Sequence, residues 1–252
     1  YISKSTFDDI TKSKILASLP YGKDIKILLD QSSNIIREKY WANLSLISID
    51  HNSEYIEEIA SELLVADRIK DLIKILWLSN KTFKIKFLCE VLVKAREEKY
   101  HEFIISHYYE LIVIFKKIYS HADIRNVDKN LMIGLEISYL GLFNGHNDIE
   151  PSFLLDNIFS NPQFYIDLVK GAYKNDKMEE QSVKDSNLAE MSYRILYEIR
   201  TIPGKGEKTF DKNVYREWVY EIVKLSKAQG YFVGVKCALP QLLVHTPADE
   251  TD

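Results

Sequence analysis

The chain has 252 residues, 46% of them hydrophobic and 28% charged, a composition ordinary for a globular protein of one or two domains. It holds only 9 Gly and 6 Pro, too few for the many tight turns of a sandwich or barrel and for the Gly-rich loops of a nucleotide-binding α/β fold. The 33 basic and 37 acidic side chains leave a formal charge of −4, without the basic excess by which nucleic-acid binders release counterions.

Helical periodicity then runs along most of the chain. Ser5-Thr6-Phe7-Asp8 has the form of a capping box with Asp in the place of Glu, and Ile10, Ile15, Leu16 and Leu19 follow before Pro20. A second helix is expected through Ile25, Leu28, Leu29, Ile35 and Ile36 to Tyr40-Trp41, with Ser32-Ser33 as a place for a break. Ile56, Ile59, Ala60, Leu63 and Leu64 mark one helix face, and Ile69, Leu72, Ile73, Leu76 and Trp77 repeat it 13 positions later. At about 100° per residue, that offset turns one straight helix by roughly 220° beyond whole turns, so the two stripes would face apart. A bend at Ala66-Asp67-Arg68 lets both face one core, which makes the segment an αα-hairpin.

Phe83 to Ala95 reads as a helix, and Phe103 to Tyr119 is apolar on most sides, as expected of a central, largely buried one. Leu131 to Phe143 is closed by Asn144-Gly145, and Pro151 to Phe159 precedes an Asn161-Pro162 N-cap with Pro at the first helical position. Residues 174–187 lack an apolar stripe and read as a long polar loop. Helices are expected again over Leu188 to Ile199, Val214 to Lys227 and Lys236 to Val244, with a turn at Pro203-Gly204-Lys205-Gly206. The expected fold is all-α: an irregular, α-solenoid-like array of αα-hairpins with about ten helices. Residues 1–173 form its helical-repeat region, and 188–252 form a C-terminal subdomain packed on it.

Chemistry is sparse. Cys89 and Cys237 are isolated thiols that make neither a zinc knuckle nor a disulfide framework, and Cys89 lies in an apolar run. His101-Glu102 opens like a zincin motif, yet the next histidine is His107 rather than the residue four positions on. Six residues turn a helix by about 240°, which separates the two imidazoles. An alternative enzyme reading gathers His101, His107, Glu110 and His121 in one pocket, but the expected catalytic, cofactor and metal residues are none. The Pro203-Gly204-Lys205-Gly206 turn has the wrong glycine spacing for a phosphate loop, and Glu207 would repel phosphate. Tyr100, Tyr108, Tyr109 and Tyr119 cluster at the central helix, where aromatics are more often core than interface. No apolar stretch approaches the roughly 20 residues of a membrane span, and a cytoplasmic location is expected.

Leu19-Pro20-Tyr21-Gly22-Lys23-Asp24, Lys39-Tyr40-Trp41, the helix pair 56–77 and Asn161-Pro162-Gln163-Phe164-Tyr165 follow one another in order. Tyr197-Glu198-Ile199-Arg200-Thr201-Ile202-Pro203-Gly204, Trp218-Val219 and Leu242-Leu243-Val244-His245-Thr246-Pro247-Ala248-Asp249 complete the pattern. It resembles the C-terminal helical region of very large, mostly uncharacterised bacterial multidomain proteins. Some of these resemble signal-transducing NTPases of prokaryotic defence, in which a C-terminal helical array senses a target. The resemblance implies a piece of a longer chain whose partner is a protein or another domain of the same parent, with an inert structural connector as a further alternative.

Overall fold

The computed structural model describes residues 6–143, 149–173, 186–198 and 211–230. Helices and short turns account for them, and no strand occurs among the described residues, so the fold is all-α. The chain divides into two compact units, Tyr1–Val127 and Asp128–Asp252.

The first unit comprises α1 (Asp9–Ala17), α2 (Lys23–Asp30), α3 (Asn34–Asn43), α4 (Ile56–Val65), α5 (Ile69–Leu78), α6 (Ile85–Ala95), α7 (His101–Ser106) and α8 (Tyr108–Tyr119). Asp8, expected as the last member of a capping box, is itself the N-cap of α1, and its carboxylate accepts from Thr11 N at 2.7 Å. The break at Ser32-Ser33 is real: Ser33 Oγ caps α3 by accepting from Ile36 N at 3.3 Å. Ser33 Oγ also donates to Asp9 Oδ2 at 3.0 Å, and Ser45 N donates to Ala17 O at 3.4 Å. These bonds tie both ends of α1 and α3 and set the two helices side by side in parallel.

The bend between α4 and α5 falls where the two apolar stripes require it. Asp67 is left-handed there, with φ of 57°. Asp67 N donates to Leu64 O at 3.1 Å and Arg68 N to Leu63 O at 2.9 Å, the Schellman pattern, with Asp where Gly is usual. Both side chains of the corner reach outward. The Asp67 carboxylate accepts from Lys99 and from the Tyr100 hydroxyl, 2.8 Å away. Arg68 Nη1 donates to Trp41 O at 2.9 Å and Leu44 O at 2.6 Å, and Arg68 Nε donates to Asp71 Oδ2 at 2.8 Å. One guanidinium thus caps the C-terminal carbonyls of α3 while bound to the first turn of α5.

α5 packs on α4, α6 and α8, with Ile69, Leu72, Ile73, Ile75 and Leu76 all buried. Trp77, expected on the buried stripe, is 44% exposed, and Ile75 takes a core position because α5 has neighbours on more than one side. Its last turn is closed from α8, where Lys117 Nζ donates to Leu76 O and, at 2.6 Å, to Ser79 O. Burial pulls the Lys117 ammonium below the ordinary lysine range. The helix expected from Phe103 to Tyr119 is divided into α7 and α8 at His107, whose ψ of 38° departs from helical geometry. No helix of the described residues is long and apolar enough to cross a membrane.

The second unit contains α9 (Lys129–Ser138), α10 (Ser152–Ser160), α11 (Pro162–Ala172), α12 (Ser186–Glu198) and α13 (Lys212–Gln229). Asn161 caps α11 as expected, accepting from Phe164 N at 3.2 Å with Pro162 at the first position. Leu154, Ile158, Val169, Ile195, Trp218 and Ile222 form the centre of its core. Residues 128–143 and 149–173, grouped by sequence with the first region, belong to this unit, with α10 on α9 and α11, and α11 on α12 and α13. Buried Glu136 of α9 accepts from Phe153 N at 3.1 Å and Leu154 N at 2.6 Å, so it caps α10, whose own N-cap is Pro151. Of the expected polar loop, Ser186 and Asn187 begin α12. Its remainder at 174–185, the Asn144-Gly145 stop, the Pro203-Gly204-Lys205-Gly206 turn, Cys237 and the helix over Lys236 to Val244 lie outside the described residues.

Two substitutions test these supports. Arg68→Met keeps an apolar stem but leaves Trp41 O and Leu44 O without their donor, so urea unfolding should show a loss of about 2–3 kcal/mol. Gly171→Ala would ordinarily favour a helix, yet a Cβ there would lie 2.9 Å from Ser192 Cβ. It should instead cost about 1–3 kcal/mol, recovered in the double variant with Ser192→Gly and read by thermal melting.

Candidate functional site

His107 and His121 do not come together. His107 precedes α8 and His121 follows it, so the helix itself, 12 residues long, holds them apart by roughly 18 Å at about 1.5 Å rise per residue. The His107 ring stacks on Phe103 at 4.1 Å, and its Nδ1 lies 3.1 Å from Phe103 O and 2.9 Å from Ser106 Oγ. His121 Nδ1 accepts from Asp123 N at 3.0 Å, a turn-closing bond. Glu110 sits in the first turn of α8, and His101 opens α7. Among the described residues, no group of three or more His, Cys, Asp or Glu is arranged to hold a metal ion. Cys89 is buried, and burial pushes its thiol up to about 11, which keeps it protonated and unreactive. Tyr100 is core, with its hydroxyl on the Asp67 corner, whereas Tyr109 is 63% exposed.

A different region has the shape of a binding site. Between α2, α3 and α4 runs a groove of about 620 Å³. Its walls are helix faces: Lys26, Leu29 and Asp30 of α2; Asn34, Arg37, Glu38, Trp41 and Ala42 of α3; and Glu58, Glu62 and Val65 of α4. The spacings are i, i+3, i+4 and i, i+4, i+7, those of single helical stripes. Leu29, Trp41 and Tyr21 are buried along its floor, and Val65 stands 83% exposed at its rim.

Behind the floor lies an aromatic cluster. Tyr21 meets Trp41 at 5.2 Å, Tyr55 edge-on at 5.8 Å and Tyr40 at 6.2 Å, and Tyr40 meets Trp41 edge-on at 5.0 Å. The Tyr21 hydroxyl donates to Glu58 Oε1 at 2.9 Å, and Lys26 Nζ donates to Glu58 Oε2 at 2.6 Å. Burial, followed by the bond to Glu58, drives the Tyr21 hydroxyl far above the ordinary tyrosine range. That same carboxylate raises the Lys26 ammonium. Tyr21 stays neutral and Lys26 charged, each already bound to Glu58, so the trio fixes the groove's shape. Sequence reasoning saw Tyr21 and Trp41 only as parts of a motif. The apolar stripe read on α4, Ile56 to Leu64, is its core face, and the groove is lined instead by Glu58, Glu62 and Val65, which carried no sequence signal.

No family model, curated protein or solved structure matches the chain.

The Tyr40 hydroxyl is fully enclosed and has no hydrogen-bond partner among the described residues. An unsatisfied buried hydroxyl carries a desolvation cost of about 1–3 kcal/mol. Tyr40→Phe should therefore leave stability unchanged or raise it, whereas Tyr21→Phe, which strips a donor from Glu58, should lower it by about 1 kcal/mol. Paired urea titrations check the opposite signs.

Proposed function

We propose that the chain is a non-enzymatic helical interaction or sensing module, an irregular solenoid-like stack of hairpins in a larger bacterial protein. Its α2–α4 groove receives a segment of a partner protein or of another domain of the same parent. The observation that carries this reading is the combination of an apolar floor, at Tyr21, Leu29 and Trp41, with an exposed Val65 at the rim of a groove of about 620 Å³. A concave, partly apolar surface with charged edges suits recognition of a side-chain anchor. The Tyr21–Glu58–Lys26 bonds hold the groove open before a partner arrives, which lowers the ordering cost of binding. The resemblance of the Leu19-to-Asp24 and Tyr197-to-Gly204 motifs to C-terminal helical regions of large bacterial proteins supports a sensing role in the cytoplasm. In a defence protein of the NTPase-like kind, such a module would report an invading target to the rest of its chain.

Panning the chain against a displayed library of short peptides, with counter-selection on the double variant Ala42→Gln/Val65→Asn, tests the reading. Both positions are exposed, so the variant fills the groove with neutral polar groups and should fold unchanged by circular dichroism. Peptides that bind the unaltered chain at least about tenfold more tightly than the variant, a difference of about 1.4 kcal/mol, are expected. A selection yielding no peptide that distinguishes the two proteins overturns it.

A further inference from the structure

The charges along the groove are not balanced, and the imbalance has a direction. Its α4 wall belongs to a helix, Ile56–Val65, that carries Glu57, Glu58 and Glu62 and no Lys or Arg. Glu58 is engaged by Lys26 and Tyr21. The other lining carboxylates, Asp30, Glu38 and Glu62, form no ion pair among the described residues. Against them stand Arg37, which donates to the Asn34 side chain, and Lys39, both on α3. The free carboxylates thus outnumber the free cations three to two, and the surplus lies across from α3, toward α4 and the end of α2.

The backbone adds a second constraint. Every wall of the groove is a helix, which offers no continuous row of free N–H and C=O groups along its length, and no strand edge occurs among the described residues. An extended peptide laid there would find no ladder for its own N–H and C=O groups. A helix satisfies its backbone internally and needs only side-chain contacts.

From these two observations, and resting on the groove reading above, we infer that the occupant is a basic amphipathic helix. Its apolar face sits on Leu29, Trp41 and Val65, and Lys or Arg one turn apart on its flank pair with Glu62 and Asp30. Rim charges of this kind act mainly on the choice of partner and on the rate of encounter, and salt screens them.

Two labelled amphipathic peptides with the same apolar face, one flanked by Lys and the other by Glu, separate the possibilities. Fluorescence anisotropy with the full chain should give the Lys peptide an advantage of about tenfold at low salt, shrinking as ionic strength rises. In Asp30→Lys/Glu62→Lys the preference should reverse, and in the milder Asp30→Asn/Glu62→Gln it should vanish. Equal binding of the two peptides, or a preference that both variants leave untouched, overturns the basic helix. If displayed peptides sensitive to Ala42→Gln/Val65→Asn emerge without a basic excess, the groove reading stands and the basic helix falls. If no such peptides exist, both fall together.

Discussion

The contact on which the first unit depends is the Arg68 guanidinium, held at the corner between α4 and α5. Three requirements meet in one dipeptide. The chain must reverse for both apolar stripes to face one core, and Asp67 supplies the left-handed residue. The carbonyls at the end of α3 need donors, and Arg68 supplies them through Trp41 O and Leu44 O. The first turn of α5 must be anchored, and the Arg68 pair with Asp71 does so at 2.6 Å. Asp67 in turn receives Lys99 and Tyr100 from the segment after α6. Arg suits this position because its planar fork serves two carbonyls and a carboxylate at once, which an ammonium cannot do with the same geometry.

The corner is one case of a wider device. The helices among the described residues are short, between 6 and 18 residues, and each leaves four N–H and four C=O groups without an internal partner. In a helix of about ten residues, that is a large share of the backbone. Local caps are sparse: α2, α4, α5, α6, α7, α8 and α10 have no side-chain N-cap. Side chains distant in sequence fill part of the gap. Arg68 closes the end of α3, Lys117 closes the end of α5, and Glu136 closes the start of α10. The signs follow the helix dipole, cations at C-termini and a carboxylate at an N-terminus. Each such cap also specifies which helix lies beside which, so the charged residues of this protein do part of the work that apolar complementarity does elsewhere.

This device explains what was legible in the sequence and what was not. Helix identity follows from local spacing, so the α4–α5 hairpin, its bend at Asp67 and the Asn161-Pro162 start of α11 could all be read from neighbouring residues. The pairing of helices depends on contacts such as Lys117 with Ser79, separated by 38 residues, and no local pattern announces them. Glu136 was invisible for the same reason, since a lone Glu in an apolar helix carries no mark of the backbone it will cap. Trp77 misled because a stripe predicts one buried face, whereas α5 has neighbours on more than one. The histidines were nameable as residues but not as a site. The separation of His107 from His121 follows from the rise of α8 between them once that helix is placed.

The groove follows from the same economy of caps. Arg68 pins the C-terminal end of α3 to the α4–α5 corner, and the Tyr21–Glu58 bond pins the approach to α2 against the first turns of α4. The first holds α3 at its C-terminal end and the second holds the start of α2, and the facing stripes of α3 and α4 between them stay partly open. A zipped pair would bury Val65 and draw Glu62 toward a cation. Here Val65 remains exposed and Glu62 makes no ion pair among the described residues. The stability of the unit rests on its buried helix faces and on the caps, Tyr21, Leu29 and Trp41 of the groove floor included, and among the rim positions the exposed Ala42 and Val65 stand outside that core. If the groove receives a partner as proposed, rigid end contacts of this kind would keep the architecture fixed while the exposed and chemically biased rim determines what binds.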